Sequence, residues 1–232
     1  MLDRKTVAEI VTVSRSLHAA GTMTPAALVT LAQYLNARSV QRTAETGVGA
    51  STFIFSRASS DHTVFASNAD GSISAVKASP LLNQETTRFV EGPTQRTLPA
   101  FAFTGSLDAV LLDGPHGYPF PDLEYFNFYP QIREGGLLII DDIQIRTIHN
   151  LFRFLCKDQM FRLLCIRNRT AFFERTAAPL FNPWADGWWL QEYNRRPIWR
   201  YAWLDAVKNA APSRLRSAAR RILDRIRARK SG

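Results

Sequence analysis

Short apolar runs recur along this chain, separated by longer stretches in which apolar residues repeat every three to four positions. The runs have the length of buried strands, and the stretches have the period of helices that face a core. Residues 3–20 and 25–37 predict two helices, the first with Val7, Ile10, Val11, Ser14 and Leu17 on one side. Thr24 and Pro25 open the second in the manner of a helix start. A strand over 40–45 then meets a glycine turn, Thr46–Ser51, and a helix over Thr52–Ala58. His62–Ala66 and Arg88–Glu91 read as the next strands, with a helix over 72–86 despite Pro80 and a crossover over Pro93–Phe101.

The stretch 107–143 repeats the unit most clearly. Two apolar runs, Asp108–Asp113 and Leu137–Asp142, end in acidic residues and flank a loop with His116 and a helical segment closing on Gly135-Gly136. Strand, helix and strand at this spacing make a parallel pair. A helix over Ile145–Lys157 and a hairpin of Phe161–Arg167 with Thr170–Arg175, turning at Asn168-Arg169, complete the pattern. The expected fold is α/β: a Rossmann-like, seven-stranded, mostly parallel sheet with an antiparallel end and helices on both faces. Ligands of such sheets bind at the carboxyl ends of the strands. Asp113, His116, Asp141 and Asp142 therefore converge on one crevice.

Several chemistries are disfavoured. The residue three after Gly49 is Thr52, so the dinucleotide fingerprint G-x-G-x-x-G is not met, and no G-x-x-x-x-G-K-[ST] phosphate loop occurs. Cys156 and Cys165 have no zinc-ligand spacing and read as buried free thiols of a reducing, cytoplasmic compartment. The start of the chain reads as an amphipathic helix, not as a signal peptide.

Glu45-Thr46-Gly47-Val48-Gly49-Ala50-Ser51 resembles the first motif of class I S-adenosylmethionine-dependent methyltransferases, E/D-x-G-x-G-x-G, with Ser51 in the third glycine's place. Asp108–Asp113 resembles their fourth strand, and Glu134-Gly135-Gly136 with Leu137–Asp142 resembles their P-G-G turn and fifth strand. D-G-x-H after strand four and D-D after strand five resemble the small-molecule O-methyltransferases related to the catechol type. It is also similar to macrolide-sugar methyltransferases and cephalosporin-hydroxylase-like proteins. The resemblance covers roughly 38–175. It implies that Gly47, Gly49 and Ser51 surround the methionine part of S-adenosylmethionine, with Glu45 holding its amino group through water or backbone. Asn68 or Asp70 would meet the ribose, although Asn68 stands where an aspartate is frequent. Asp113, Asp141 and Asp142 would bind a divalent cation such as Mg²⁺, and His116 would be the base. Gly92-Pro93-Thr94 lacks the acid that often contacts adenine. The N/D-P-P-Y/F motif of nucleic-acid methyltransferases is missing, which favours a small hydroxylated acceptor, such as a sugar or glycan. The remaining alternatives are a nucleic-acid methyltransferase and a non-catalytic cofactor-binding scaffold.

The residues also admit structural roles. Asp113 before Gly114 can cap its loop, Asp141-Asp142 can cap the next helix, and His116 can bond locally. The net charge is +9, of which residues 212–232 carry +7, so the body is close to neutral. That tail spaces Leu215, Ala219, Ile222 and Ile226 as one helix stripe, and all five tryptophans fall between Trp184 and Trp203. Such a pair of segments can anchor to an anionic membrane, bind nucleic acid, pack on a second copy in a homo-oligomer, or remain a solvated helix. The expected divisions are a helical cap (1–37), the core (38–175), a Trp-rich extension (176–211) and the tail (212–232).

Overall fold

A computed structural model of the chain describes residues 2–14, 22–182, 187, 189 and 191–194. The chain divides into two compact units, Met1–Tyr193 and Asn194–Gly232, and the elements that follow belong to the first. They are α1 (Arg4–Ser14), α2 (Pro25–Asn36), β1 (Arg42–Thr46), α3 (Ala50–Ala58), β2 (Asp61–Ala66), α4 (Ser72–Ala78) and β3 (Thr87–Glu91). Then come α5 (Thr94–Ala100), β4 (Leu107–Leu112), α6 (Phe120–Phe128), β5 (Ile132–Ile140), α7 (Arg146–Leu155), β6 (Phe161–Arg167) and β7 (Thr170–Arg175).

The sheet order is β3-β2-β1-β4-β5-β7-β6. All neighbouring pairs up to β5 are parallel, and β7 runs against both β5 and β6. The central strands are apolar because both faces are covered. On β4, Ala109 and Leu111 pack with α1, α2 and α3, while Val110 and Leu112 pack with α6 and α7. β5 divides alike, with Leu137 and Ile139 on the first side and Leu138 and Ile140 on the second. The strand order reverses between β1 and β4, and a crevice opens there at their carboxyl ends.

Several features depart from the sequence reading. α4 stops at Ala78, because Ser79 before Pro80 takes an extended conformation (φ −78°, ψ 134°) as the proline ring demands. β5 begins at Ile132, so Gly135-Gly136 lies inside the strand as a bulge instead of ahead of it. Both cysteines are free, but Cys156 is exposed and Cys165 half-buried, the latter accepting from the Tyr34 hydroxyl at 3.5 Å. Residues 15–21 and 195–232, with most of the expected tryptophan segment and the whole basic tail, lie outside the described residues.

Opposite the crevice, Asp108 fastens the start of β4. Its carboxylate accepts the backbone N–H groups of Gln41 (2.6 Å) and Arg42 (2.8 Å) and pairs with Arg133. Burial pushes its pKa up, but Arg133 and the two N–H groups outweigh this, and the net shift is downward. A depressed carboxylate contributes stability above its unfolded pKa, about 3.9, and loses it as pH falls through the folded value. Asp108→Ala should cost on the order of 3 kcal/mol by urea denaturation at pH 7. That gap should shrink as pH approaches 3, and a gap of constant size would refute the assignment.

Candidate active site

The crevice floor is set by how closely β1 approaches β4. Gly47 has φ +81°, and a Cβ there would lie 2.3 Å from the carbonyl oxygen of Asp113. Only glycine permits both the conformation and the contact. The chain then turns at Gly49 into α3, whose first residues, Ala50 and Ser51, line the crevice. The unpaired N–H groups of that helix start suit an anionic or polar ligand group. Gly49 N–H donates to the Thr52 hydroxyl at 3.0 Å, which fixes the turn from inside.

Glu45 reaches the end of β1, but its carboxylate turns into α3. It accepts Ser51 Oγ at 2.7 Å and the Thr52 hydroxyl, and His62 Nε2 lies 3.2 Å away. His62 Nδ1 meets Thr43 Oγ1 at 2.9 Å, which in turn meets Ser59 Oγ at 2.8 Å. This buried chain ties both ends of α3 to β1, so Glu45 supports the glycine turn from below.

A cavity of about 360 Å³ extends from Thr22 and Met23 across the glycine turn to Phe65, Asp70 and Pro93-Thr94, and ends at Asp113 and His116. Its volume lies within the range of small-molecule sites. Asp70 lines it, while also accepting Ser72 N–H (3.1 Å) and Ser72 Oγ (2.6 Å) at the start of α4. Asn68 is not on the wall; its amide bonds Ser74 through both atoms.

At the far end of the crevice Asp113, His116 and Asp142 bring three ligand atoms within 4.8 Å of one another. His116 Nε2 lies 3.4 Å from Asp142 Oδ2 and 3.8 Å from Asp113 Oδ1, ion-pair distances. The imidazole is 43% exposed at its side chain, so it remains open to an acceptor. Asp113 raises its pKa most, against partial burial, with Asp142 and Asp141 adding. Asp113 is itself raised, first by burial and then by the charges of Asp141 and Asp142, while His116 opposes the shift. Asp142 has φ +56°; its Oδ1 accepts Gln144 Nε2 at 2.8 Å and lies 2.8 Å from Arg169 Nε, an ion-pair contact without hydrogen-bond geometry. The side chain of Asp141 is turned behind the cluster, where Thr170 Oγ1 donates to it at 2.5 Å.

Arg169, Thr22 and Glu124 were not singled out in the sequence. Arg169 lies in the β6–β7 turn and also donates to the Thr22 carbonyl at 2.6 Å, so the hairpin closes on the crevice rim. No local pattern marks that contact. Glu124 did leave a trace: it falls on the buried side of α6 with Pro121, Tyr125 and Phe128, a charge inside an apolar stripe.

The profile of a family described as "Methyltransferase domain" matches residues 44–143, from β1 past the acidic pair. No curated protein matches the sequence significantly. Among solved structures, a candidate O-methyltransferase from Klebsiella pneumoniae is 13% identical, with a TM-score of 0.60 over 76% of this chain and 92% of that one. The O-methyltransferase from Bacillus cereus in complex with S-adenosylhomocysteine is 12% identical, with a TM-score of 0.57 over 76% and 92%. A Podospora anserina methyltransferase, also with S-adenosylhomocysteine bound, is 13% identical, with a TM-score of 0.57 over 75% and 89%. At such identities the likeness speaks for the fold. Profile, strand order and glycine turn agree: residues 44–143 match a methyltransferase domain, and the sheet that holds them has the fold of these methyltransferase structures.

Proposed function

We propose that the protein transfers a methyl group from S-adenosylmethionine to a hydroxyl of a small acceptor, such as a sugar or glycan. The observation that carries the reading is continuity: the glycine-turn cavity is also lined by Asp113 and His116, two members of the cluster that Asp142 completes. The residues fit the cofactor, since Gly47 lets the β1 end lie against Asp113 and α3 offers its free N–H groups beside Gly49 and Ser51. Bound there, it supplies an electrophilic methyl on a sulfonium for in-line displacement. Asp70 is the ribose partner on the cavity wall, in preference to Asn68. Glu45 acts from beneath by holding Ser51.

His116 takes the acceptor proton. Asp113 and Asp142 hold its ring on one side, so the proton received is stabilised as an ion pair. A general base must begin neutral. Since its pKa lies above the ordinary histidine value of about 6.5, turnover should rise with pH through a midpoint above that value. A rate already flat at pH 6 would argue against His116. His116→Ala should lower turnover by roughly 10²–10⁴-fold.

Asp113 and Asp142 also suit a hard cation, which takes one or two carboxylates and completes its shell with waters. Such an ion, when bound, lowers the acceptor hydroxyl's pKa and fixes its oxygen. Asp141, with one oxygen held by Thr170, stands behind these two.

The reading is tested by calorimetry with S-adenosylmethionine and S-adenosylhomocysteine, followed by labelled-cofactor incubation with glycolipid extract, RNA or DNA. Saturable binding with label in an extracted small molecule or glycan is expected. Label entering RNA alone would make it a nucleic-acid enzyme, and binding without turnover would make it a scaffold.

No described helix is long and apolar enough to cross a membrane. We place the enzyme in the cytoplasm, with residues 212–232 meeting anionic lipid, because their apolar stripe adds to the charge. Flotation with anionic liposomes should be lost in a protein ending at residue 211. Equal flotation of both proteins would refute the anchor.

A further inference from the structure

Glu124 is buried to 2% exposure on α6, yet its Oε1 has no hydrogen-bond partner. Its other oxygen, Oε2, accepts the Thr46 hydroxyl at 2.8 Å. That hydroxyl also accepts the backbone N–H of Asp113 at 3.0 Å. A hydroxyl has one proton, so giving it to Glu124 leaves a lone pair aimed at Asp113. The carbonyl of the same Asp113 residue is the one that Gly47 rests against. Behind them, Gly114 has no side chain where a Cβ would lie 2.0 Å from Glu124 Oε1. On the third side is Thr94, whose buried hydroxyl also has no partner and lies close enough to influence the Glu124 carboxyl. Thr46 ends β1, Gly114 lies two residues past β4, and Thr94 opens α5 three residues past β3; Thr94 and Gly114 line the cavity. Nothing in the packing of α6 requires an acid at this position, where its neighbours on the same face are apolar.

We propose that Glu124 is a positioning residue for the cofactor, a neutral carboxylic acid that accepts from Thr46 and donates to Thr94, joining the end of β1 to the start of α5 beneath the cavity. One shared proton satisfies both orphaned atoms, Glu124 Oε1 and Thr94 Oγ1, and leaves no unpaired charge below the site. The direction of its acidity agrees: burial foremost raises it to about 7, against the Thr46 hydrogen bond and the nearby Thr94 hydroxyl, with the Asp113 charge adding to the rise. The proposal rests on the functional reading above, since it concerns how S-adenosylmethionine is held.

The test is calorimetric titration of S-adenosylhomocysteine into the full-length protein, with melting temperatures measured in parallel. Gln keeps both roles, accepting from Thr46 and donating to Thr94, so Glu124→Gln should bind within about threefold of the wild type. Glu124→Leu should bind at least tenfold more weakly. Thr94→Val, which removes only the hydroxyl, should weaken binding severalfold while melting close to the wild type, and it decides the matter if Glu124→Leu does not fold. Wild-type affinity in Thr94→Val and Glu124→Leu would overturn the proposal. A Glu124→Gln protein as weak as Glu124→Leu would overturn it too, because the site would then need the carboxylate. Failure of the wild type to bind at all is a separate result, which would remove the methyltransferase reading and this proposal together.

Discussion

Gly47→Ala should weaken S-adenosylmethionine binding at least 10²-fold, while Gly135→Ala, with nearly the same backbone angle, should leave it unchanged. Both glycines are in the left-handed region, Gly47 at φ +81° and Gly135 at +74°. Each alanine therefore incurs the same conformational cost of roughly 1–2 kcal/mol. The surroundings differ. The nearest atom to a Cβ at Gly135 is Arg133 Nη1, the end of a flexible side chain, at 3.6 Å. At Gly47 it is the backbone carbonyl of Asp113 at 2.3 Å, which no rotamer change can relieve. The ends of β1 and β4 must move apart, and that junction is the cavity floor. Melting temperatures report the shared cost and calorimetry the difference. Binding by Gly47→Ala within threefold of wild type would mean that the cofactor does not use this floor.

The same junction explains which parts of the molecule were legible from sequence. β4 and the second half of β5 are buried on both faces, so every residue from Leu107 to Leu112 and from Leu137 to Ile140 had to be apolar or otherwise satisfied. Such runs announce themselves, and the acids just beyond them, Asp113, Asp141 and Asp142, then fall at the strand ends by counting. Pro80 was legible too, and deserved more weight: the conformation it imposes on Ser79 ends α4. The bulge at Gly135-Gly136 was harder, because glycine marks a turn and a bulge equally well.

Side-chain direction was not legible at all. Glu45 stands where the methyltransferase pattern has its acid, but Ser51, Thr52 and His62 draw its carboxylate to the other side of the turn. Ser51, the residue that departs from the glycine pattern, is one of the groups that holds it. Asn68 and Asp70 were equal candidates by position. Asn68 spends its amide on Ser74, off the wall, whereas Asp70 keeps a place on it. Glu124, Arg169 and Thr22 belong to elements far apart in sequence, and only the closed sheet brings them to one crevice.

The adjacent aspartates offer the sharpest division of roles. Asp142→Asn should lower turnover by at least 10²-fold with S-adenosylhomocysteine affinity unchanged. Asp142 Oδ2 faces His116 while Oδ1 is held by Arg169 and Gln144, so its charge is both oriented and aimed at the reacting end. The amide keeps the shape but cannot stabilise an imidazolium or hold a cation as a carboxylate does. Asp141→Asn should reduce turnover less, because Asp141 lies outside the Asp113–His116–Asp142 cluster and its amide oxygen can still accept from Thr170. Both variants should be measured with EDTA and with added Mg²⁺. Loss of wild-type turnover in EDTA, restored by Mg²⁺, assigns Asp113 and Asp142 to a cation; full activity in EDTA leaves them as the holders of His116. If Asp141→Asn proves the more damaging of the two, the ranking drawn from the cluster is wrong. All three carboxylates would then act on the cation together, as the resemblance to the catechol-type enzymes implies.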